Sequence, residues 1–378
     1  MKTIFVCIDW FHPAYKAGGP VQSIVNLVEQ YSDRNVQFRI FTSNKDLDGT
    51  VNEGVPFDQW HQYNPRTMVW YASDNKKALH AIKAQIRDCK PDILFIVGVF
   101  SWYFKQLHLA VYRVPVKIIS ARGMLHPGAL SQKSAKKKIY LALCKMAGIR
   151  RRYLFHATDI EEKAFIRDAF GKKVRTYVAG NFPHVFKLQP ANNKRAGSLL
   201  MVSIALISSM KNILLVLEAL QHSNGDIVYD IYGPVKDEAY WQQCVEKIRT
   251  LPPNITVRYK GDIVPSMVEE TLGKYEVFVL PSKSENFGHA IYEALSAGKP
   301  VITSHHTPFN NLEQSKAGKN VSLQNEREIA AAIDFFAAMP SDEFNKWNLG
   351  SSQYARDKID VNNIKAQYDR MFGVGEEL

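Results

Sequence analysis

The sequence predicts an α/β fold of two doubly wound domains, and three observations carry that expectation. Short β-rich apolar runs alternate with helical patterns from the first residue to about residue 335. Two of the runs, "DILFIVGV" (92–99) and "VKIISA" (116–121), read as strands buried on both faces, the mark of a parallel sheet. Around 183–198, "PHVFKLQPANNKRAGS" loses all periodicity, and the alternation then restarts. A chain of 378 residues suits two domains of about 150 to 200 residues each.

In order, "TIFVCI" (3–8) reads as a strand, followed by the helical pattern "GGPVQSIVNLVEQYS" with Val21, Ile24, Val25 and Val28 on one side. "QFRIFTS" (37–43) is a second strand. After the linker, "LLMVSIAL" opens the second half, followed by the helix "NILLVLEALQ" and the strands "DIVYDIYG", "ITVRYKG", "VFVLPS" and "PVITS". The expected domains are 1–185 and 186–361, the first completed by the terminal helix at about 362–378. Two such domains are expected to face each other across a cleft at the carboxyl ends of their sheets, where ligands bind.

Composition narrows the partners. At 46% hydrophobic and 22% charged residues the chain is ordinary for a soluble globular protein. Cys7, Cys89, Cys144 and Cys244 are widely separated, so neither a disulfide framework nor a structural zinc site is expected. The opening "MKTIFVCIDWFHP" lacks the features of a signal peptide, and no apolar run approaches the ~20 residues of a membrane helix. The expected location is cytoplasmic, with peripheral contact to the inner face of the cytoplasmic membrane left open. A net charge of +11 calls for phosphate ligands or an anionic membrane surface; no nucleic-acid motif is present, and none is expected to bind.

"YEVFVLPSKSENFGHAIYEALSAGKPVI" (275–302) reads as strand, loop, helix and strand. Pro281 ends the strand, Gly298 fits a left-handed cap, and Pro300 blocks continuation. Glu285 then lies in the loop and Gly288 at the helix start, where unpaired amides and the dipole favour anions. Glu293 follows about a turn and a half further on. By spacing alone the two glutamates are either one ligand's partners or a capping residue and a solvated one.

The segment "PSKSENFGHAIYEALSAGKPVITSHHTP" resembles the donor-site motif of GT-B glycosyltransferases of family 4, whose E-x7-E pair sits in a P-S-x-x-E-x-F-G … E-A-x-x-x-G-x-P-V frame. The likeness extends to "DWFHPAYKAGGPVQSIVNL", "ISARGMLHPGAL", "LFHATDIEEKAF", "NFPHVF" and "LISSMKNILLVLEAL", and is nearest to a bacterial branch that builds surface polysaccharides. It implies a GT-B fold of two Rossmann-like domains. It also implies a retaining transfer of sugar from a UDP- or GDP-sugar to a glycan or lipid-linked glycan, in capsule, O-antigen or exopolysaccharide synthesis. In this frame Glu285 holds hydroxyls of the transferred sugar with Asn286, and Phe287 and Gly288 offer backbone N–H groups. Glu293 binds the ribose, Lys211 neutralises the diphosphate, and the loop of Gly261, Asp262 and Ile263 faces the base. Gly18 and Gly19 let the N-terminal loop approach the phosphates. No metal and no other cofactor is expected.

One departure is material. The family's arginine, five residues before the lysine, is replaced by Leu206. Lys283 and Arg122 are the named candidates to supply the lost charge. Arg122 and His126 are also acceptor-side candidates, with Asp9 and His12 behind them. "DLD" (46–48) matches a metal-binding Asp-x-Asp literally but reads as a solvated loop. "KSAKKKIYLALCKMAGIRRRY" (133–153) reads either as an interfacial helix or as a domain helix with Ala135, Ile139, Leu143 and Met146 in the core. Competing functions are a nucleotide-sugar protein with epimerase-like chemistry, or a weakly catalytic membrane- or nucleic-acid-binding scaffold.

Overall fold

The computed structural model describes residues 1–74, 79–108, 113–131, 134–189 and 194–374. Lys133 of the lysine run, residues 190–193 of the linker and residues 375–378 of the expected terminal helix therefore lie outside the described residues. The chain divides into two units, Met1–Phe182 with Val361–Leu378, and Pro183–Asp360.

The first unit contains β1 (Lys2–Cys7), α1 (Gly19–Gln30), β2 (Val36–Ser43), β3 (Trp60–Asn64), β4 (Thr67–Ala72) and α2 (Leu79–Cys89). It continues through β5 (Ile93–Val97), α3 (Trp102–Leu107), β6 (Val116–Ser120), α4 (Pro127–Ser131), α5 (Ser134–Met146) and α6 (Ile149–Arg152). It then ends its first pass with β7 (Leu154–Ala157), α7 (Ile160–Phe170) and β8 (Thr176–Val178). Eight strands form one sheet in the order β3-β4-β2-β1-β5-β6-β7-β8. All neighbours pair in parallel except β3 and β4, an antiparallel edge with a register shift between Gln62 and Asn64. Every residue of β5 is buried, as expected of a central strand covered on both faces.

The second unit runs β9 (Ser198–Ile204), α8 (Ile213–Leu220), β10 (Asp226–Tyr232), α9 (Glu238–Ile248) and β11 (Ile255–Tyr259). A short 3₁₀ turn (Pro265–Met267) leads to α10 (Val268–Gly273), β12 (Val277–Leu280), α11 (His289–Ser296), β13 (Val301–Ser304) and β14 (Gly318–Val321). The helices α12 (Glu326–Ala338) and α13 (Ser341–Lys358) close it. Its six strands, β11-β10-β9-β12-β13-β14, are all parallel, and the order reverses at β9. Leu199, Met201, Val277 and Val279 point into one core, Val202, Phe278 and Leu280 into the other, so alternate residues of one strand serve opposite faces.

The last helix, α14 (Val361–Phe372), packs on the first unit. Ile364, Tyr368, Met371 and Phe372 are buried, and Tyr368 stacks on Phe182 with ring centroids 5.3 Å apart. Gly180 donates its amide to Gln367 Oε1 at 2.8 Å, and Ile364 Cγ1 lies 3.3 Å from where a Cβ on Gly180 would sit. Asp369 accepts from the Tyr31 hydroxyl at 2.6 Å and pairs with Arg34 at 3.2 Å.

Candidate active site

In the second unit, β12 ends at Leu280 and the chain turns through a loop into α11. Three hydrogen bonds shape that loop. Ser304 Oγ donates to the Ser282 carbonyl at 2.5 Å, the Glu285 amide donates to the His306 carbonyl at 3.3 Å, and the Lys283 amide donates to the Met210 carbonyl at 2.8 Å. The last of these ties the loop to the turn that carries Lys211, next in the chain after the acceptor.

Glu285 is thereby fixed beside Lys211. Its Oε1 accepts from Lys211 Nζ at 2.6 Å and from Ser282 Oγ at 2.6 Å. The two side chains are 10% and 24% exposed, so the pair is partly desolvated and better held than a surface ion pair. Oε2 takes no protein hydrogen bond among the described residues. A carboxylate with one oxygen anchored and the other open is suited to accept a ligand hydroxyl.

Gly288 caps α11 with φ 76°, a left-handed conformation that L side chains rarely adopt. Phe309 Cε2 would lie 3.1 Å from a Cβ there, so φ and space both favour glycine. The first-turn amides of α11 have no acceptors within the helix. Phe287 packs its ring against His289 and Tyr292, with centroids 4.5 and 6.0 Å apart. Asn286 is half-buried in the same loop.

Glu293 is half-buried on α11, and its carboxyl makes no protein hydrogen bond among the described residues. Burial, with no cation to offset it, pushes the carboxyl up to about 8. The cause is desolvation, which favours the neutral form over the charged one.

Asp262 is exposed and Ile263 half-buried in the loop after β11, where the Gly233 amide donates to the Gly261 carbonyl at 2.9 Å. Leu206 is half-buried, at the exit of β9, and brings no charge. Lys283 is exposed, and its backbone bond to Met210 sets it next to the Lys211 turn. An open groove of about 540 Å³ includes Asn212, Glu218, Tyr240, Lys283 and His306 in its lining, but neither Glu285 nor Glu293. It flanks the carboxylate site without being part of it.

The motif frame contains Ser282 but gives it no role, whereas in the structure its hydroxyl aims Glu285; no sequence pattern marks Phe309, which packs at Gly288. A hydroxyl three residues before a glutamate in a post-strand loop is the signal available for the first. Nothing local marks Phe309, which lies over twenty residues along the chain.

In the first unit, Gly18 caps α1 with φ 70°, and the helix begins at Gly19 with Pro20 in its first turn. The preceding loop is latched from a direction that the sequence did not suggest. Asp46, expected in a solvated loop, is buried, and its Oδ2 accepts from the amides of Tyr15 and Lys16 at 2.9 and 3.2 Å. Its Oδ1 accepts from the Leu47 amide at 2.6 Å, while Asp48 pairs with Lys16 at 2.6 Å. Removing the carboxylate leaves amide donors unpaired, so Asp46→Ala is expected to destabilise the protein by about 2 kcal/mol in urea denaturation. Adding EDTA to the wild type is expected to leave its midpoint unchanged.

Arg122 is 8% exposed, with φ 50°, at the end of β6. Its Nη1 donates to Asn181 Oδ1, while Nε and Nη2 find no acceptor among the described residues. The Gly123 amide donates to the buried Glu162, whose other oxygen accepts from the Thr158 amide at 2.7 Å. His156, bonded to Ser120 and to the Ala179 carbonyl at 2.8 Å each, is pushed down to about 3 by burial and by Arg122. Arg122 therefore belongs to a buried polar network rather than to an open surface. His126 is half-buried, accepts from the Gly128 amide at 3.1 Å and sets its ring edge-on to Phe165. Asp9 lies just beyond β1, half-buried, and His12 is exposed.

Residues 185–348 match the family model of glycosyl transferases group 1, so the chain carries a domain of that kind over most of its second unit. No curated protein matches the chain significantly. Among solved structures, sucrose-phosphate synthase from Thermosynechococcus elongatus is similar over 99% of this chain and 98% of its own, at 17% identity and a TM-score of 0.76. Anabaena Alr3699/HepE in complex with UDP and glucose is similar over 99% and 100%, at 14% identity and a TM-score of 0.72. S. aureus TarM, solved with UDP and glycan ligands, covers 98% and 100%, at 12% identity and a TM-score of 0.69. At these identities the likeness establishes the fold, which is GT-B: two Rossmann-like domains built on parallel sheets.

Proposed function

We propose that this chain, with its glycosyl transferases group 1 domain at 185–348, is a retaining glycosyltransferase of family 4. It would take a sugar from a nucleoside diphosphate sugar, UDP- or GDP-linked, and pass it to a glycan or lipid-linked glycan of a bacterial surface polysaccharide. The observation that carries the reading is the Lys211–Glu285 pair, with Glu285 Oε2 left open beside the glycine-capped start of α11. The solved neighbours with UDP or UDP-glucose bound support a nucleotide-sugar donor.

Each group then has one task. Glu285 Oε2 accepts a hydroxyl of the transferred sugar, and Asn286 assists. The amides of Phe287 and Gly288 and the positive end of α11 receive the diphosphate, whose negative charge Lys211 offsets. Glu293 accepts the ribose hydroxyls, and the Gly261–Ile263 loop lies against the base. Gly18 and Gly19 leave room for the acceptor and phosphates, with His126 on the acceptor side and Arg122 held in the buried network at the end of β6. Lys283 stands in for the arginine lost at Leu206, because its backbone bond to Met210 sets it beside Lys211.

Departure and attack occur on the same face of the sugar. Neither glutamate is assigned as a covalent nucleophile, so the protein's contributions are positioning and positive charge at the leaving diphosphate. No metal ion is assigned a part.

A thermal-shift panel of UDP, GDP, ADP and their sugars tests the reading. One nucleotide family at about a hundred times its Kd is expected to stabilise the protein by roughly 2.7 kcal/mol. A flat response to every nucleotide would remove the basis for the proposal.

A further inference from the structure

We propose that the outward face of α5 is a docking surface for an anionic lipid bilayer. The helix has two apolar sides. One is buried: Leu141 and Cys144 enter the core, Tyr140 donates its hydroxyl to the Val99 carbonyl at 3.3 Å, and Lys137 Nζ bonds the Ala129 carbonyl at 2.6 Å. The other side, which the sequence allows to be either interfacial or core, is not in the core. Ile139, Leu143 and Met146 are 64%, 53% and 77% exposed. At a helical step of about 100° per residue these three lie within about 60° of one another, opposite the buried side.

Charge flanks the stripe. Lys136, Lys138 and Lys145 are exposed, and none of them forms an ion pair among the described residues. Residues 93–158 contain 12 Lys and Arg and no Asp or Glu. The rest of the chain holds 36 basic and 37 acidic residues, so the whole net charge of +11 originates in this one segment. An apolar stripe bordered by unpaired lysines matches the two layers of an anionic bilayer, acyl chains beneath phosphates. A second copy of the chain would oppose like charges, and a polyanion alone would have no use for the stripe.

The purpose rests on the transferase reading: a bilayer there would bring a lipid-linked acceptor to the enzyme. The binding itself does not rest on it. Through Tyr140, α5 packs on Val99 and Phe100, which follow β5 at the carboxyl edge of the first sheet. Ligands of open α/β sheets collect along that edge.

Co-sedimentation with phosphatidylcholine vesicles, with and without phosphatidylglycerol, tests the surface. The wild type is expected to bind only the anionic vesicles. Lys136→Glu, Lys138→Glu and Lys145→Glu together should weaken that binding roughly a hundredfold. Ile139→Ser, Leu143→Ser and Met146→Ser together, which keep every charge, should weaken it at least about tenfold. All six side chains are exposed, and both triple variants should keep the wild-type melting temperature and any nucleotide shift.

Failure of the wild type to bind anionic vesicles would overturn the proposal. So would vesicle binding indifferent to the serine variant, which would reveal mere polyanion affinity. Concentration-dependent dimers abolished by the serine variant, without vesicle binding, would assign the stripe to self-association instead. If no protein shows a nucleotide shift, the transferase reading fails while the vesicle result stands by itself.

Discussion

Glu285→Gln is expected to lower sugar transfer between about a hundredfold and a thousandfold, while nucleoside diphosphate binding stays level or tightens. The asymmetry follows from the Lys211–Glu285 pair. Without ligand the carboxylate holds Lys211 Nζ at 2.6 Å, so part of the lysine's charge is already matched. Glutamine keeps the size of the side chain and can still accept from Ser282, but it releases that charge to the diphosphate. What it cannot supply is the charged acceptor for the sugar hydroxyl at Oε2. Transfer assays on the donor found by thermal shift, with titration of the bare nucleotide, check both halves. Weakened nucleotide binding with transfer intact would reverse the assignment.

Glu293→Gln is expected to act on the nucleotide instead, weakening it about ten- to a hundredfold at pH 9 through loss of charged hydrogen bonds to the ribose. A pH dependence accompanies it. Burial raises the Glu293 carboxyl to about 8, so in the free wild-type protein the ionised form gains ground as pH climbs toward that value. Nucleotide affinity of the wild type should therefore rise between about pH 6.5 and 8.5 by a margin that the glutamine variant does not show.

Stability moves the other way. The folded carboxyl binds its proton more tightly than the unfolded one, which loses it near the ordinary value of 4.5. Folding is thus favoured below that pH, and the contribution is lost progressively until pH passes about 8. The glutamine variant, which has no proton to lose, should melt at least about 4 °C above the wild type at pH 9 and converge with it near pH 4. A site group that costs stability in the empty protein is the pattern expected of a residue kept for its ligand.

Much of this site could be seen in the sequence because glycine and proline mark positions that few other residues fit. Gly288 and Gly298 both have positive φ, and Pro281 and Pro300 stand at the strand and helix ends where the pattern placed them. The strand runs of the second unit were equally plain, because strands buried on both faces show as unbroken apolar stretches. The antiparallel edge of β3 and β4 has no clear sequence signature, for "WHQYN" and "TMVWYA" mix polar and aromatic residues as an edge does.

Two further features depended on tertiary placement. An aspartate that latches a distant loop looks, in sequence, like any aspartate in a polar turn, so Asp46 reads as solvated although it is buried. Helical periodicity reveals an apolar stripe but not which side faces the core; α5 carries two, and Leu141 with Cys144 occupy the interior. The loss of arginine at Leu206 was visible at once, whereas the nearness of Lys283 needed the hydrogen bond to Met210.

The most direct test of the donor site is a calorimetric titration of the wild type, Glu285→Gln and Glu293→Gln with one nucleoside diphosphate and with its sugar-bearing form. Glu285→Gln should erase the affinity that the sugar adds while leaving the bare nucleotide as tight as in the wild type or tighter. Glu293→Gln should weaken both ligands by the same factor. Equal behaviour of the two variants toward both ligands, whether loss or indifference, would contradict separate roles for the two glutamates.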